Sequence, residues 1–250
     1  MKLAAVLLIE NGIILNKYHF SQYLPVGKIL HTVKRLQELQ IDEIIMLNKG
    51  HSDDPVKDFM QIQNSDFSRI SLSTPMAYGG GIRNMSHVEK LIDSGVERVV
   101  LPSREIYSKL SQAIAHKYGE QSIIFHLPYI KKTKMFKTFD SKKEFPLIQK
   151  IGKLPENFGG EIVLTSTLSE GVGKLNVDEL EGLINRIPAN INIVYSGGVS
   201  STEQVDQLSS LPINGVGLGN ILNSKEAFVL RAKKYCERLD RPLYEEEIDA

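Results

Sequence analysis

Two glycine-rich segments are the residues best suited to chemistry in this sequence. Gly79-Gly80-Gly81 follows a short apolar run, and Ser196-Gly197-Gly198 follows another. Residues that lack a Cβ let backbone N–H groups close around an anion without steric cost. Each segment is followed by a helical stretch and then by a second apolar run that ends in glycine or serine. We therefore expect two phosphate-sized pockets, each at the turn of a β-α-β unit.

The repetition of this pattern indicates how the whole chain is built. A single glycine cluster after a strand is usually only a tight turn, so the second copy is what changes the interpretation. Two similar half-chains with a glycine pocket each favour a barrel of two halves that holds a ligand with a phosphate at each end. Strand and helix signals alternate along all 250 residues. The predicted fold is a single (β/α)8 barrel domain over residues 1–250.

Hydrophobic periodicity and capping signals predict the elements of this barrel. The predicted strands include Leu3–Ile9, Ile41–Leu47, Gln121–Leu127 and Glu161–Ser166. The predicted helices include Val26–Leu39, one that opens at Asp54-Pro55, Arg104–Lys117, Glu144–Ile151, Val177–Ile187 and Ser224–Leu239. The basic stretch Lys131–Lys143 is predicted as a hairpin or loop, either solvated or lying as a basic lid over an anionic ligand at the C-terminal ends of the strands.

Composition argues against several classes of partner. Lysine plus arginine equals aspartate plus glutamate at 30 each, which predicts no attraction to nucleic acid or to a membrane surface.

Cys236 is the only cysteine, so no disulfide can form within the chain. The spacings of metal sites and of nucleotide-binding loops do not occur, and we expect neither a metal nor a cofactor. The apolar start is too short for a signal peptide, and we expect a cytoplasmic protein.

Three segments give the chain a family resemblance: Tyr78–Ile82, Gly160–Ser166 and Ser196–Gly198. On these the sequence resembles the phosphoribosyl-isomerase and cyclase family of histidine biosynthesis, and within it the cyclase subunit of imidazole glycerol phosphate synthase. The match runs over nearly the whole chain. A branch of cyclase paralogues encoded with surface-polysaccharide genes resembles it further at four places near the N-terminus: Leu7-Leu8, Asn11-Gly12, Phe20 and Tyr23.

The resemblance implies that the catalytic acids are missing. The family's cyclase carries an aspartate at the end of strand one and another at the end of strand five, a pair that works as acid and base. The matching positions here are Leu8 and Pro128, which cannot transfer a proton. Glu10 is nearby, but a solvent-facing turn carboxylate is its simpler interpretation, and His126 is more simply a structural histidine. Asn48 and Pro102 stand where the family has an aspartate and an asparagine.

The phosphate sites are better retained in this comparison. The residues that match the family's first site are Gly80, Gly81 and Ser103, and those that match the second are Gly171, Gly198, Gly219 and Asn220. Glu170 replaces the family's aspartate before the first glycine of the second site. Backbone N–H groups do most of the binding at such sites, so we expect a phosphorylated small-molecule ligand. The alternative is that the barrel has inherited glycine turns that it no longer fills.

The resemblance also implies a partner at the other end of the barrel. In the family's cyclase, two cations and two glutamates at the N-terminal ends of strands close a channel for ammonia from a glutaminase subunit. The matching residues here are Lys2, Glu43, Arg98 and Glu161, and all four charges are kept. Glu97 lies beside Arg98 and is placed for a lysine of a docked partner. Taken singly, each charge is more simply a solvated strand end; together, the four favour a gate.

These expectations leave three hypotheses. In the first, the chain docks a glutaminase and conducts ammonia toward a sugar amidotransferase or a phosphorylated acceptor, in surface-polysaccharide synthesis, with the cyclase acid and base lost. In the second, it is a working cyclase of histidine synthesis whose acid and base have moved elsewhere. In the third, it is a non-catalytic scaffold or allosteric subunit that activates its partner by contact.

Overall fold

Twelve strands and eight helices make up the part of the chain that the computed structural model describes, which is residues 1–18, 21–50, 54–62, 73–133, 135–140, 143–224 and 228–237. The strands are β1 (Lys2–Glu10), β2 (Ile13–Tyr18), β3 (Gln22–Lys28), β4 (Glu43–Asn48), β5 (Met76–Gly79), β6 (Arg98–Pro102), β7 (Ile123–Lys132), β8 (Met135–Asp140), β9 (Lys143–Pro146), β10 (Glu161–Ser166), β11 (Asn192–Ser196) and β12 (Gly215–Leu218). The helices are α1 (Ile29–Glu38), α2 (Pro55–Ile62), α3 (Met85–Asp93), α4 (Lys109–Tyr118), α5 (Leu147–Ile151), α6 (Val177–Ile184), α7 (Thr202–Ser209) and α8 (Phe228–Glu237).

Eight of these strands form a closed parallel barrel. Around the barrel they follow the order β1, β4, β5, β6, β7, β10, β11, β12, and each pairs in parallel with the next. The pairing of β12 with β1 closes the ring. Helices lie between successive barrel strands, because a parallel neighbour can be reached only through a crossover connection. The predicted (β/α)8 barrel is confirmed.

Two antiparallel hairpins extend the barrel at the ends of its first and fifth strands. Strands β2 and β3 continue from β1, and strands β8 and β9 continue from β7. Hairpins therefore stand at the same position in each half of the barrel. The described part of the segment predicted as a hairpin or loop over 131–143 forms a hairpin. Lys134 and Lys142 of this segment lie outside the described residues, as does Phe20 near the N-terminus. The predicted helix over Glu144–Ile151 is wrong in its first three residues, because they pair in β9.

The helix bounds follow the capping chemistry more closely than the hydrophobic periodicity. Asp54 caps α2 as predicted, since its Oδ1 accepts hydrogen bonds from the N–H groups of Val56 and Lys57 at 3.1 and 3.0 Å. Helix α4 begins at Lys109 and not at Arg104, because Ser108 caps it and residues Ser103–Glu105 form a separate 3-10 turn. Every helix in the described ranges is too short or too polar to span a bilayer.

Alternation along the barrel strands sorts side chains into two apolar layers. One layer lies between the sheet and the helices and contains most of the core. The other layer fills the inside of the barrel and consists of alanine and the β-branched residues valine and isoleucine: Ala4, Ile45, Ala77, Val100, Ile124, Val163 and Val194. Residues two or four positions away from these on the same strands also face inward, which places Lys2 below the inner layer and Leu8 above it.

Candidate functional site

The two glycine turns have the same backbone conformation at the C-terminal end of the barrel. Gly80 and Gly81 have φ of +114° and +74°, and Gly197 and Gly198 have φ of +104° and +78°. An L side chain is strained at these angles, so glycine is required at each position. The matching angles give structural evidence for the two-half repeat predicted from the sequence.

The elements that follow each turn repeat as well. Asn84 caps α3 three residues after Gly81, and Ser201 caps α7 three residues after Gly198. The next barrel strand of each half ends in a 3-10 turn, Ser103–Glu105 in one and Asn220–Asn223 in the other. Each glycine turn therefore leads directly into a helix N-terminus, where free N–H groups favour a bound anion.

The first glycine cavity, of about 240 Å³, includes Gly80 and Gly81 in its lining. Asn48, Arg104 and His126 also line it. Arg104 is a cation at a phosphate-sized cavity that sequence reasoning missed, although its place directly after a strand end was a usable signal. Asn48 is held by a hydrogen bond of 2.9 Å from its Nδ2 to the Tyr78 hydroxyl.

Ser103, predicted for the first phosphate site, does not line this cavity. The residue is fully buried, and its hydroxyl donates a hydrogen bond of 3.0 Å to the carbonyl of Phe139 in β8. The side chain therefore ties the second hairpin to the end of β6. This placement leaves Gly80 and Gly81 as the predicted residues that border the cavity.

The second glycine cavity is larger, at about 350 Å³, and includes every residue predicted for it. Gly171, Gly198, Gly219 and Asn220 all line this space. Gly171 has φ of +76°, and a Cβ there would lie 2.2 Å from the carbonyl oxygen of Lys17 in β2. The absence of a side chain at Gly171 thus lets the first hairpin lie directly against the loop that follows β10.

The side chain of Asn220 fixes that hairpin to the barrel. Its Oδ1 accepts a hydrogen bond of 3.0 Å from the N–H of Lys17, and its Nδ2 donates one of 2.8 Å to the carbonyl of Lys17. A second amide contact lies beside it, where Asn223 Nδ2 donates to Asn16 Oδ1 at 2.8 Å. Asn220 therefore borders the cavity while its amide holds the cavity wall in place.

Leu8 and Pro128, the positions that the sequence resemblance matches to two acids, face the mouth of the barrel. Leu8 and Pro128 are both partly buried there, and neither carries an ionisable group. His126 lies below Pro128 on the same inward face, with its Nε2 3.0 Å from the hydroxyl of Thr165. Burial, together with the positive charge of Lys17, lowers the pKa of His126 to about 3, so the imidazole is neutral at pH 7.

An ion pair that the sequence did not predict lies in the same region. Lys17 Nζ is 3.5 Å from Glu170 Oε2, and both side chains are largely buried. Burial lowers the pKa of Lys17 to about 8 against the opposing charge of Glu170. Burial also raises the pKa of Glu170, although Lys17 acts in the opposite direction. Glu10, by contrast, is a partly exposed carboxylate 3.3 Å from Lys49.

At the N-terminal end of the barrel, the four charges predicted as a gate form a closed ring. Lys2 Nζ lies 2.7 Å from both Glu43 Oε2 and Glu161 Oε2. Arg98 completes the ring at 3.0 Å from Glu43 Oε1 and 3.4 Å from Glu161 Oε1. We call these four residues the charge ring. Each glutamate uses one oxygen for each cation, and the apolar inner layer lies directly above.

The charge ring combines buried acids with more accessible cations. The side chains of Glu43 and Glu161 are 4% and 8% exposed, whereas those of Lys2 and Arg98 are 25% and 19% exposed. Glu97, next to Arg98, is exposed on the same face. The two cations thus border solvent at the N-terminal end of the barrel.

Three lysines of the second hairpin are paired with acids on that hairpin or on α6. Lys132 and Lys137 both contact Glu144 in β9, and Lys131 lies 3.6 Å from Glu179 in α6. These pairs favour the solvated hairpin over the basic lid.

Comparisons with known proteins place this architecture in a family. The family model described as "Histidine biosynthesis protein" matches residues 5–227. Phosphoribosyl imidazole-4-carboxamide isomerases of Methanothermobacter thermautotrophicus and Methanococcus voltae are 29% and 30% identical, over 66% and 59% of this chain. The alignments span 69% and 61% of those enzymes, so the chain covers only about three fifths of the second. "Imidazole glycerol phosphate synthase subunit HisF" of Dictyoglomus thermophilum is 24% identical over 85% of both chains. The chain belongs to the histidine biosynthesis protein family of barrels, as a HisF-like member.

Proposed function

We propose that this barrel docks a glutaminase on its N-terminal face and conducts ammonia through the charge ring to an acceptor at its C-terminal face. The observation that carries the proposal is the closed ring of Lys2, Glu43, Arg98 and Glu161 at one end of the barrel. The name of the Dictyoglomus relative, a subunit of imidazole glycerol phosphate synthase, supports the presence of a partner.

The composition of the charge ring suits a gate that opens from the solvent side, at the N-terminal end of the barrel. The cations have long side chains that reach solvent, so they can swing outward while the buried glutamates stay in place. A partner that offers a carboxylate to Lys2 would compete with the ring's internal pairs, and one that offers a cation to Glu97 would dock beside Arg98. Ammonia is small and neutral, and the apolar layer above the ring imposes no charge penalty on it.

The mouth of the barrel supports a changed use of the delivered ammonia. Leu8 and Pro128 stand where the family's cyclase has its acid and base, while both glycine cavities are present. The proposed role is therefore nitrogen transfer to a phosphorylated acceptor, or to a sugar amidotransferase, in place of cyclase chemistry. The resemblance at Leu7-Leu8, Asn11-Gly12 and Tyr23 favours surface-polysaccharide synthesis as the pathway.

Affinity purification of the tagged chain from its own cells, with glutamine hydrolysis assayed in the eluate, tests the proposed docking. We expect the eluate to release glutamate from glutamine, and a Glu97→Lys variant to lose this activity because the exposed charge on the docking face is reversed. A Glu89→Lys variant, changed at an exposed site on α3, serves as the control. An eluate without glutaminase activity would remove the basis of the proposal.

The second candidate is an active cyclase of histidine synthesis, favoured by the 85% coverage of the Dictyoglomus subunit. It requires that the acid and base have moved away from Leu8 and Pro128. An assay with ammonia and the family's ribulosyl phosphate substrate discriminates directly, since it needs no glutaminase. Turnover in that assay would refute our interpretation of these two positions.

A further inference from the structure

A cavity of about 20 Å³ lies between Lys17, Glu170 and Leu8 at the mouth of the barrel. This volume is enough for a single water molecule. The cavity adjoins the second glycine cavity, because four residues line both spaces: Val6, Glu170, Gly219 and Asn220. Glu170 therefore lines both spaces, whereas Lys17 and Leu8 line only the small cavity, and the ion pair lies where the small cavity meets the phosphate-sized pocket.

This arrangement is costly for an ion pair that only joins two loops. The Lys17 and Glu170 side chains are 10% and 22% exposed, and their charges are 3.5 Å apart. Glu170 Oε2 is buried, and apart from its 3.5 Å contact with Lys17 Nζ it has no hydrogen-bond partner among the described residues. Taking two charges out of water is repaid only by close geometry and further hydrogen bonds. The oxygen thus retains an unused acceptor site beside the cavity.

We propose that Lys17 and Glu170 are a proton-exchanging pair that contacts a small phosphorylated carbonyl or hydroxyl compound, whose phosphate binds at the glycines of the second cavity. The ammonium of Lys17 gives its proton to the ligand oxygen, the carboxylate of Glu170 takes a proton from the same ligand, and water in the small cavity returns that proton to Lys17. No oxidant or reductant takes part. The proposal goes beyond the docking of a glutaminase and does not depend on it.

The protonation of the pair suits this task near neutral pH. Burial lowers the pKa of Lys17 to about 8, so both the protonated and the neutral form of the amine are populated near neutral pH. Two titratable groups act on Lys17 from other elements: Glu170, in the loop after β10, opposes the lowering, and the neutral His126 of β7 lies nearby. The alternative is a purely structural pair that fixes the first hairpin to the barrel.

Pyridoxal 5′-phosphate is a probe that separates these two roles. Its phosphate should occupy the second cavity while its aldehyde reacts with the neutral amine of Lys17, with loss of water to form an imine. Borohydride reduction fixes the product, and mass spectrometry of peptides locates it. We expect Lys17 to be modified with a midpoint near pH 8 and to be protected by excess inorganic phosphate.

Lys117 provides the matched control within the same sample. It is half exposed and paired with Glu89, and its pKa is raised by that hydrogen bond. We expect its modification to need a higher pH and to show no protection by phosphate. If Lys117 reacts while Lys17 does not, or if phosphate leaves modification of Lys17 unchanged, the proposal is overturned.

Two variants extend the test. Glu170→Gln removes the opposing charge, and we expect the midpoint for Lys17 to fall by about one pH unit. Gly198→Ala narrows the second cavity, since a Cβ there would lie 2.7 Å from Ser169 Cβ, and we expect modification of Lys17 to slow about tenfold. Phosphate protection in the unaltered protein remains decisive if either variant fails to fold. A midpoint unmoved by Glu170→Gln would contradict the coupling.

Discussion

Glu43 and Glu161 are buried at the base of the barrel with a cation at each oxygen of each carboxylate. Removing a carboxylate from water costs several kcal/mol, and a single contact seldom repays that cost. Here four contacts between 2.7 and 3.4 Å share it. The ring is therefore a set of mutually dependent charges, and loss of one charge weakens all of them.

Replacement of Glu43 by glutamine tests this dependence. Lys2 and Arg98 each lose one of two acids, and we expect the free energy of unfolding to fall by about 2–3 kcal/mol, less than for fully buried cations. Urea denaturation followed by circular dichroism measures the change. Glu89→Gln, at a half-exposed pair, should have a far smaller effect. Equal effects at the two sites would show that the ring is not coupled.

His126 gives the chain a predictable sensitivity to acid. Its pKa of about 3 in the folded protein lies below the ordinary value of 6.5, so between these pH values only the unfolded chain binds the proton. Stability that is present above pH 6.5 is therefore lost as pH falls toward 3, by up to about 1.4 kcal/mol per pH unit. We expect His126→Gln to lose less stability than the unaltered protein between pH 7 and pH 4 in urea titrations. Parallel losses in the two proteins would contradict the assignment.

The residues of the charge ring could be predicted from the sequence, whereas the Lys17–Glu170 pair could not. Lys2, Glu43 and their ring partners each begin a strand, so a known strand order brings them to one end of the barrel. Lys17 and Glu170 are 153 positions apart, on a hairpin and a loop whose contact depends on Gly171 and Asn220. No periodic pattern encodes such a contact.

At the scale of elements, the two glycine turns fix how each half of the barrel meets its ligand. Gly80 is the most constrained residue of the first turn, because a Cβ there would lie 2.2 Å from the carbonyl oxygen of Asn48 at positive φ. We expect Gly80→Ala to lower the free energy of unfolding by about 3 kcal/mol or more.

Gly182 is the matched control for that substitution. It lies within α6 with no atom near its absent Cβ, so alanine should stabilise the protein by about 0.5–1 kcal/mol through helix propensity. Thermal and urea unfolding measure both variants. Two changes of the same sign would refute the conformational argument.

The first hairpin depends on one side chain from the opposite end of the chain. The Asn220→Ala variant lacks the side-chain amide and so loses both hydrogen bonds to the Lys17 backbone. We expect the backbone N–H of Lys17 to exchange with solvent about tenfold faster in this variant. Hydrogen exchange by NMR measures this rate directly. Asn223→Ala, which loses a single side-chain contact to Asn16, should leave the exchange of Lys17 nearly unchanged. Similar exchange in both variants would show that Asn220 does not hold the hairpin.

The hairpins were the elements that sequence patterns predicted least well. Strand β3 is exposed along most of its length, so it lacks the alternation of apolar and polar residues that marks a half-buried strand. The helix predicted over Val26–Leu39 is therefore wrong over residues 26–28, which belong to β3, where Lys28 pairs with Ile13. The prediction of a helix from Glu144 fails for a similar reason, because pairing with β8 makes the first residues of that segment a strand. Strand β10, buried at every position, has the bounds predicted for it, whereas the ends of β1, β4 and β7 differ from their predicted bounds by between one and five residues.

At the scale of the whole molecule, the two ends of the barrel have different chemistry. The N-terminal end is closed by buried acids and accessible cations, and the C-terminal end carries two glycine cavities and a buried lysine. A barrel interior of small apolar side chains separates them. This division supports a molecule that receives a neutral compound at one end and uses it at the other.

We propose that the N-terminal face of the barrel activates a docked glutaminase and receives the ammonia that the glutaminase releases. Titration of this chain against the glutaminase that co-purifies with it, with the rate of glutamine hydrolysis as the readout, tests the claim most directly. We expect a rate that rises and saturates as the two proteins reach stoichiometric amounts, and we expect Glu97→Lys to abolish the rise. A rate that stays at the level of the isolated glutaminase at every ratio would contradict it.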